Sequence, residues 1–147
     1  MNIPTIPPGS KVQPGDVKEL RSLEQKFLSR WESYLGTFTF TREQILQWMP
    51  ESHVRLIEGR KLEWDFVWRE FKVCVEVQGG QFMGRRKGNK NKSGHSSIVA
   101  QNRDAEKVRL AAAAGWTQLN FTTEDVDKVR GFDELALCLG LIENAPT

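Results

Sequence analysis

The chain has 147 residues, of which 39% are hydrophobic and 27% charged, and its formal net charge at pH 7 is +2. These values are typical of one globular domain with its own hydrophobic core, and they exclude a disordered or a strongly basic chain. No stretch is long and apolar enough to suggest a membrane span.

The N-terminus and the two cysteines indicate the compartment. Residues 1–16 are rich in proline and glycine and lack the apolar core of a secretory signal, so we expect a flexible arm there. Residues 17–147 then form a single domain. Cys74 and Cys138 both lie in apolar runs, which predicts buried, reduced thiols and a cytoplasmic protein.

Two helices are predicted before the first strand. Apolar residues recur at helical spacing and predict a helix over residues 17–34, with Asp16 as its N-cap. Glu24 falls within this apolar stripe, where a carboxylate must be paired, protonated or bound to a ligand. A shorter helix is predicted over residues 41–48, and Pro50 ends it.

Three strands are predicted in the middle of the chain, over residues 53–58, 62–68 and 71–78. An even-length connection between the last two places Asp65, Glu76 and Gln78 on one face of a hairpin. Two registers remain open: Asp65 opposite Glu76, or a pairing of Trp68 with Phe71 that makes the carboxylates diagonal neighbours. The other face is predicted to be core and carries Trp64, Phe66, Val75 and Val77.

The C-terminal half predicts a long helix, a strand and two terminal helices, over residues 97–114, 116–121, 123–130 and 132–141. Gly115 is the expected C-cap of the long helix, and Gly131 separates the terminal helices. On a helical wheel, Lys107 lies opposite the apolar face of the long helix. That face carries Ile98, Ala105, Val108 and Ala112.

The segment between Gln81 and His95 contains five cations and no acid: Arg85, Arg86, Lys87, Lys90 and Lys92. Glycine and asparagine separate these cations, which predicts a solvated, mobile loop whose charge suits a polyanion. A loop without a binding role remains the alternative.

The hairpin carboxylates predict a metal site. Two carboxylates side by side on one sheet face repel each other, and a divalent cation between them removes that repulsion. Asp65 and Glu76 offer only oxygen ligands, which Mg²⁺ and Mn²⁺ prefer. No histidine pair or cysteine pair is spaced for zinc. A plain solvated sheet face remains the alternative to a magnesium site.

The same residues resemble a nuclease signature. Glu63-Trp64-Asp65 followed by Val75-Glu76-Val77-Gln78 resembles the motif of the PD-(D/E)XK nuclease superfamily. Small phage-type and Holliday junction resolvase-like members share further short runs with this chain, namely Glu76 to Gly80, Gly94-His95, Asp104 to Lys107 and Gly115-Trp116. The resemblance covers about Glu24 to Asp125. It departs from the superfamily at Gln78, where a lysine is usual.

This resemblance implies an α/β restriction-endonuclease-like core, in which helices flank a mixed central sheet in the order α-β-β-β-α-β. It also implies a Mg²⁺-dependent endonuclease in which Mn²⁺ can substitute. The implied metal ligands are Asp65, Glu76, the Val77 carbonyl and Glu24. Gln78 and Lys107 would position or polarise the attacking water, because similar enzymes relocate their lysine to the position of Lys107.

The implied substrate is DNA, held through its phosphates by the basic loop, His95 and Arg103. Phosphate contacts carry no sequence information, so we expect a structure-selective enzyme. The first hypothesis is a homodimeric Holliday junction resolvase that acts in DNA recombination in a bacterial or phage-infected cell. The alternatives are a flap, mismatch or nicking endonuclease of the same core, an inactive DNA-binding module, and a protein-interaction domain.

Overall fold

One mixed β-sheet with helices on both faces organises the chain. The computed structural model describes residues 13–14, 20–79 and 90–143, with side chains described for 20–79 and 98–143. The strands lie in chain order as β1 (Gln13–Pro14), β2 (Glu51–Arg55), β3 (Trp64–Trp68), β4 (Val73–Gln78) and β5 (Thr117–Thr122). The first four are antiparallel neighbours, whereas β5 runs parallel to β4.

In the described part of the chain, five α-helices accompany this sheet: α1 (Ser22–Leu35), α2 (Arg42–Gln47), α3 (Lys90–Ala113), α4 (Thr123–Asp127) and α5 (Phe132–Cys138). Helix α3 joins β4 to β5, as the crossover that a parallel strand pair requires. The predicted α/β class with a mixed sheet flanked by helices is confirmed. Among the described helices, none combines the length and the apolar character needed to cross a bilayer.

Two separate apolar clusters cover the two faces of the sheet. The larger lies under α1 and the C-terminal helices, where Phe27 stacks on Phe66 with ring centroids 4.9 Å apart. The smaller lies under α3 and contains Val54, Trp64, Val67, Cys74 and Ala111. Because both faces of the sheet are covered at its centre, β3 and β4 are largely buried on both sides.

A single carbonyl links α1, the end of α2 and β3. The indole N–H groups of Trp31 and Trp68 both donate to the backbone oxygen of Trp48, at 3.0 Å and 2.8 Å. Trp31 and Trp68 are almost fully buried, so each indole nitrogen requires such a partner. These bonds hold α1 against the sheet, and α1 carries one of the predicted site residues.

The start of α1 differs from the prediction. The helix begins at Ser22 with Arg21 as its N-cap, not at residue 17 with Asp16. Glu24 is therefore a first-turn residue, and its carboxylate accepts a hydrogen bond from the Arg21 backbone N–H at 2.8 Å. This side chain satisfies one of the unpaired N–H groups at the helix start, which sets the boundary there.

The first predicted strand and the long helix also have different bounds. Strand β2 ends at Arg55, three residues before the predicted end. Helix α3 begins at Lys90 instead of residue 97, so Lys90, Lys92 and His95 belong to a helix and not to the predicted loop. Propagation of an existing helix adds one hydrogen bond per residue, which offsets the low helix propensity of glycine and asparagine.

One prediction about a sheet face and one about burial are wrong. Trp64 packs with Val67 and Cys74 under α3, on the opposite face from Phe66. His53 on the neighbouring strand has a left-handed backbone, with φ of 54°, and this interrupts the regular alternation of the sheet. Cys138 is exposed, whereas Cys74 is buried as predicted, and both are free thiols.

The predicted N-terminal arm lies mostly outside the described residues. Within it, Gln13 pairs with Arg55 and Pro14 with Val54 at the edge of the sheet. The basic-loop residues Arg85, Arg86 and Lys87 also lie outside the described residues.

Substituting Gly131 should destabilise the fold more than its backbone angle alone predicts. Gly131 has φ of +83°, and an added Cβ would lie 2.6 Å from the buried Phe121 ring. We expect Gly131→Ala to lower the free energy of unfolding by about 2–4 kcal/mol, from left-handed strain and overpacking together. Urea denaturation followed by tryptophan fluorescence measures this loss.

Gly59→Ala is the matched control. Gly59 has φ of +79°, but nothing lies within 4 Å of an added Cβ. Gly59→Ala should therefore lower the free energy of unfolding only by the cost of the left-handed backbone, about 1–2 kcal/mol. Equal losses for the two variants would show that the Phe121 contact contributes nothing.

Candidate active site

The pairing of β3 with β4 brings the two predicted hairpin carboxylates together. Phe66 pairs with Val75, so the same register places Asp65 directly opposite Glu76. This is the first of the two registers that the sequence left open. The connection spans residues 69–72, an even number as predicted, and Arg69–Phe71 within it form a short 3-10 helix.

The backbone of each strand holds the carboxylate of the other strand. The Asp65 N–H donates to Glu76 Oε2 at 3.1 Å, and the Val77 N–H donates to Asp65 Oδ2 at 2.9 Å. Such charge-assisted bonds are directional, so they fix the orientation of both carboxylates. The hairpin therefore presents two acids at defined positions beside each other.

Glu24 on α1 lies beside this hairpin and is completely buried. Its Oε1 atom accepts hydrogen bonds from the Arg21 backbone N–H at 2.8 Å and from Arg21 Nε at 3.1 Å. Arg21 also lies 3.5 Å from Asp65 Oδ2. Arg21 is thus the partner that a carboxylate in an apolar stripe requires, and it links Glu24 to the hairpin.

His53 completes the group, although the sequence analysis assigned it no role. The register that pairs Ser52 with Phe66 places His53 opposite Asp65. Its Nε2 lies 3.3 Å from Glu24 Oε2. A lone histidine in a short strand carries no spacing signal. Only the pairing of β2 with β3 could have revealed it.

Glu24, His53 and Asp65 can together hold a metal ion. Among the residues with described side chains, they form a group whose ligand atoms all lie within 4.8 Å of one another. Glu24 Oε2 and His53 Nε2 are shielded from solvent, and neither makes a hydrogen bond. Two such buried atoms facing each other suit a shared divalent cation, and this group differs from the predicted ligand set because His53 takes the place of Glu76 and the Val77 carbonyl.

Lys107 occupies the buried face of α3, contrary to the helical-wheel prediction. Lys107 is 7% exposed and Ala111 is fully buried, whereas Ile98 is 59% exposed and Val108 is 43% exposed. The wheel assigned the apolar residues of α3 to the core. The helix instead turns Lys107 toward the sheet, because an acidic partner there compensates its burial.

That partner is Glu76. Lys107 Nζ donates to Glu76 Oε1 and to the Glu63 carbonyl, and it lies 4.9 Å from the centroid of the Trp64 ring. Burial lowers the pKa of Lys107 to about 8, although the negative charge of Asp65 opposes this decrease. Lys107 therefore lies against one of the two hairpin acids.

A cleft of about 820 Å³ opens over these residues. It is lined by Glu24, Asp65, Glu76, Val77, Gln78, Arg103 and Lys107 from the predicted set. The side chains of Lys90, Lys92 and His95 lie outside the described residues, as do Arg85, Arg86 and Lys87 entirely.

Glu76 stands apart from the group of Glu24, His53 and Asp65. Both of its oxygens have protein partners, namely the Asp65 N–H and Lys107. Glu76 therefore holds the lysine in place, while Asp65 belongs to both arrangements.

Several cations around the cleft were missed by sequence analysis. Arg21, Arg60 and Lys61 line it together with Arg103. Arg60 forms an ion pair with Glu106 at 2.7 Å, which fixes it against α3. These residues are scattered along the chain and form no charge run, so no local pattern indicated them. Their arrangement gives an acidic floor and a basic rim.

Comparison of the chain with known proteins identifies no relative. No protein-family model matches the chain, and neither a curated protein nor a solved structure is significantly similar to it.

Removing Lys107 should destabilise the metal-free protein strongly. Lys107→Met leaves Glu76 buried without its cation, which costs about 3–5 kcal/mol. Adding Glu76→Gln to that variant should recover most of this loss, because it removes the unpaired charge. Urea denaturation in EDTA measures both values.

Lys128→Met serves as the control for this double-mutant cycle. Lys128 pairs with Glu124 at 2.6 Å, but both side chains are more than half exposed. Removing this exposed ion pair should leave the free energy of unfolding almost unchanged. A Lys107→Met variant as stable as Lys128→Met would contradict a buried Lys107–Glu76 pair.

Proposed function

We propose that the chain is a metal-dependent DNA endonuclease that hydrolyses phosphodiester bonds. The observation that carries this proposal is the contact of Lys107 with Glu76, directly opposite Asp65, inside a cleft with a basic rim. The sequence resemblance supplies the reaction class, and this contact supports it. Two acids and a lysine are the groups that its strand motif requires, although the lysine here comes from α3.

The side chains have different proposed roles, which follow from their positions in the cleft. Asp65, Glu24 and His53 would hold the cation, which, when bound, lowers the pKa of water and offsets negative charge on the scissile phosphate. Lys107 points into the same cleft as Gln78, where both can orient a water molecule against the phosphorus. Lys107 also offers positive charge close to the oxygens of the phosphate.

The rim of the cleft suits a DNA backbone. Arg103 projects from α3 beside the acids, while Arg60 and Lys61 lie at the β2–β3 connection. Cations on both sides of an acidic floor can hold phosphates while the scissile bond lies over the carboxylates. Contacts between these cations and phosphates carry no sequence information, so we propose structure-selective cleavage of branched DNA, as in a Holliday junction resolvase.

The remaining expectations are part of the same proposal. The order of α1, β2 to β4, α3 and β5 suits a restriction-endonuclease-like core. A homodimer is supported by exposed apolar side chains along α3, at Ile98, Val99 and Val108. A second copy would remove that surface from water. A cytoplasmic location suits free thiols at Cys74 and Cys138.

An inactive DNA-binding module has less support. The reason to consider it was Gln78, which offers no positive charge where a lysine is usual. Because Lys107 contacts the neighbouring acid, the cleft contains the missing charge.

Asp65→Asn and Glu76→Gln should each abolish detectable cleavage of a four-way junction in Mg²⁺ or Mn²⁺. Asp65→Asn removes a charge that would hold the cation, and Glu76→Gln removes the charge that holds Lys107 in the cleft, while both change little volume. Glu70→Gln is the control, since Glu70 is exposed in the turn of the same hairpin. The panel also contains flap, mismatched and plain duplexes, with EDTA as a blank. Cleavage by either site variant at the wild-type rate would refute the proposed site.

Glu24→Gln should lower the cleavage rate by about 10- to 100-fold, the loss typical of residues that support a metal site. Glu32→Gln, further along the same helix, is its control because Glu32 pairs with Arg42 far from the cleft residues. Rates are measured on the preferred substrate at saturating metal. Equal rates for the two variants would mean that Glu24 serves only the start of α1.

A further inference from the structure

We propose that Glu24, His53 and Asp65 form a mixed nitrogen and oxygen site that binds Mn²⁺ in preference to Mg²⁺. The proposal deepens the proposed nuclease function, because it concerns the metal of the same cleft. It replaces the oxygen-only site predicted from the hairpin acids. The three ligands come from three elements: α1, β2 and β3.

Two buried polar atoms without hydrogen bonds lie at the centre of the group. Glu24 is 0% exposed, and its Oε1 atom is held by Arg21, yet its Oε2 atom makes no hydrogen bond. That oxygen faces His53 Nε2 at 3.3 Å, and the nitrogen makes no hydrogen bond either. Buried polar atoms are almost always paired, so this arrangement calls for a partner between the two side chains.

The backbone of His53 adopts an unfavourable conformation. Its φ of 54° lies in the left-handed region, which costs a non-glycine residue about 1–2 kcal/mol. Such strain is found at functional sites, where the surrounding structure imposes it. His53, the residue with this left-handed backbone, lies opposite Asp65. Its imidazole contacts the Glu24 carboxylate.

The Asp65 carboxylate is held in place through one of its two oxygens. The Val77 N–H and Arg21 both contact Oδ2 of Asp65, at 2.9 Å and 3.5 Å. These contacts fix the carboxylate and leave Oδ1 to serve as a ligand. Each acid of the group therefore uses one oxygen for the protein and has the other for a cation.

The donor atoms select the metal. Mg²⁺ prefers oxygen ligands and strict octahedral geometry, and it keeps several waters. Mn²⁺ accepts carboxylate oxygens and also binds imidazole nitrogen, so one histidine with two acids favours Mn²⁺ over Mg²⁺. Co²⁺ should bind more tightly still, in the usual order of first-row metals.

The test uses Mn²⁺ itself as the probe of the full chain. Electron spin-echo envelope modulation of bound Mn²⁺ detects a directly bonded ¹⁴N nucleus, independently of any DNA cleavage. The chain has two histidines, so His95→Asn leaves His53 as the only one. In that variant we expect a ¹⁴N coupling, replaced by a ¹⁵N coupling after labelling with ¹⁵N-histidine.

The variant His53→Asn tests the same ligand by removing it. Asparagine tolerates the left-handed region, so the substitution removes the imidazole while retaining the backbone conformation. Calorimetric titration with MnCl₂ should show an affinity reduced by at least about tenfold. Titration with MgCl₂ should show a smaller change, and His95→Asn should match the wild type for both metals.

The outcomes separate this proposal from the proposed function. Absence of nitrogen coupling from bound Mn²⁺ in the His95→Asn variant would overturn the ligand role of His53, even if DNA is cleaved. Equal affinity of the wild type for Mn²⁺ and Mg²⁺ would overturn the metal preference. A His53 nitrogen coupling without cleavage of any DNA substrate would support the site and refute the nuclease.

Discussion

The direct pairing of Asp65 with Glu76 is the constraint on which the site depends. In this register, each carboxylate accepts a backbone N–H from the opposite strand, so two like charges are held side by side on one hairpin. Like charges directly opposite each other on a sheet are unfavourable. The rest of the cleft can be understood as compensation for this repulsion.

Two cations from different parts of the chain provide that compensation. Lys107 reaches Glu76 from α3, and Arg21 reaches Asp65 from the start of α1. The two helices lie on opposite faces of the sheet, so the charges are balanced from both sides. A buried pair such as Lys107 and Glu76 contributes little net stability, because desolvation offsets attraction. The pair therefore fixes the position of Lys107 beside Asp65 more than it adds to the stability of the fold.

Packing of α1 against the sheet also determines where the site residues lie. Helix α1 is held to β3 through the shared Trp48 carbonyl, and Phe27 packs directly on Phe66. Glu24 lies one turn before Phe27 on the same buried stripe, so core packing determines where its carboxylate points. Preorganised side chains of this kind cost little reorganisation when a charged ligand binds.

The sequence by itself determined the local features. Alternation of polar and apolar residues predicted β3, β4 and the facing acids, and helical spacing predicted a buried Glu24. These patterns depend on one element or on two strands joined by a short turn, so a local period suffices to find them. The metal-dependent chemistry inferred from the acids remains a proposal.

Only the tertiary structure decided which face of α3 is buried and which distant residues complete the cleft. The wheel placed Lys107 outside because it ranks residues by hydrophobicity, and it has no means of including an acid on another element that compensates a buried cation. His53, Arg21 and Arg60 are isolated in the sequence, and strand register and helix packing bring them to the acids. Composition and periodicity describe single elements, whereas a site on a two-sided sheet is formed by contacts between elements far apart in the chain.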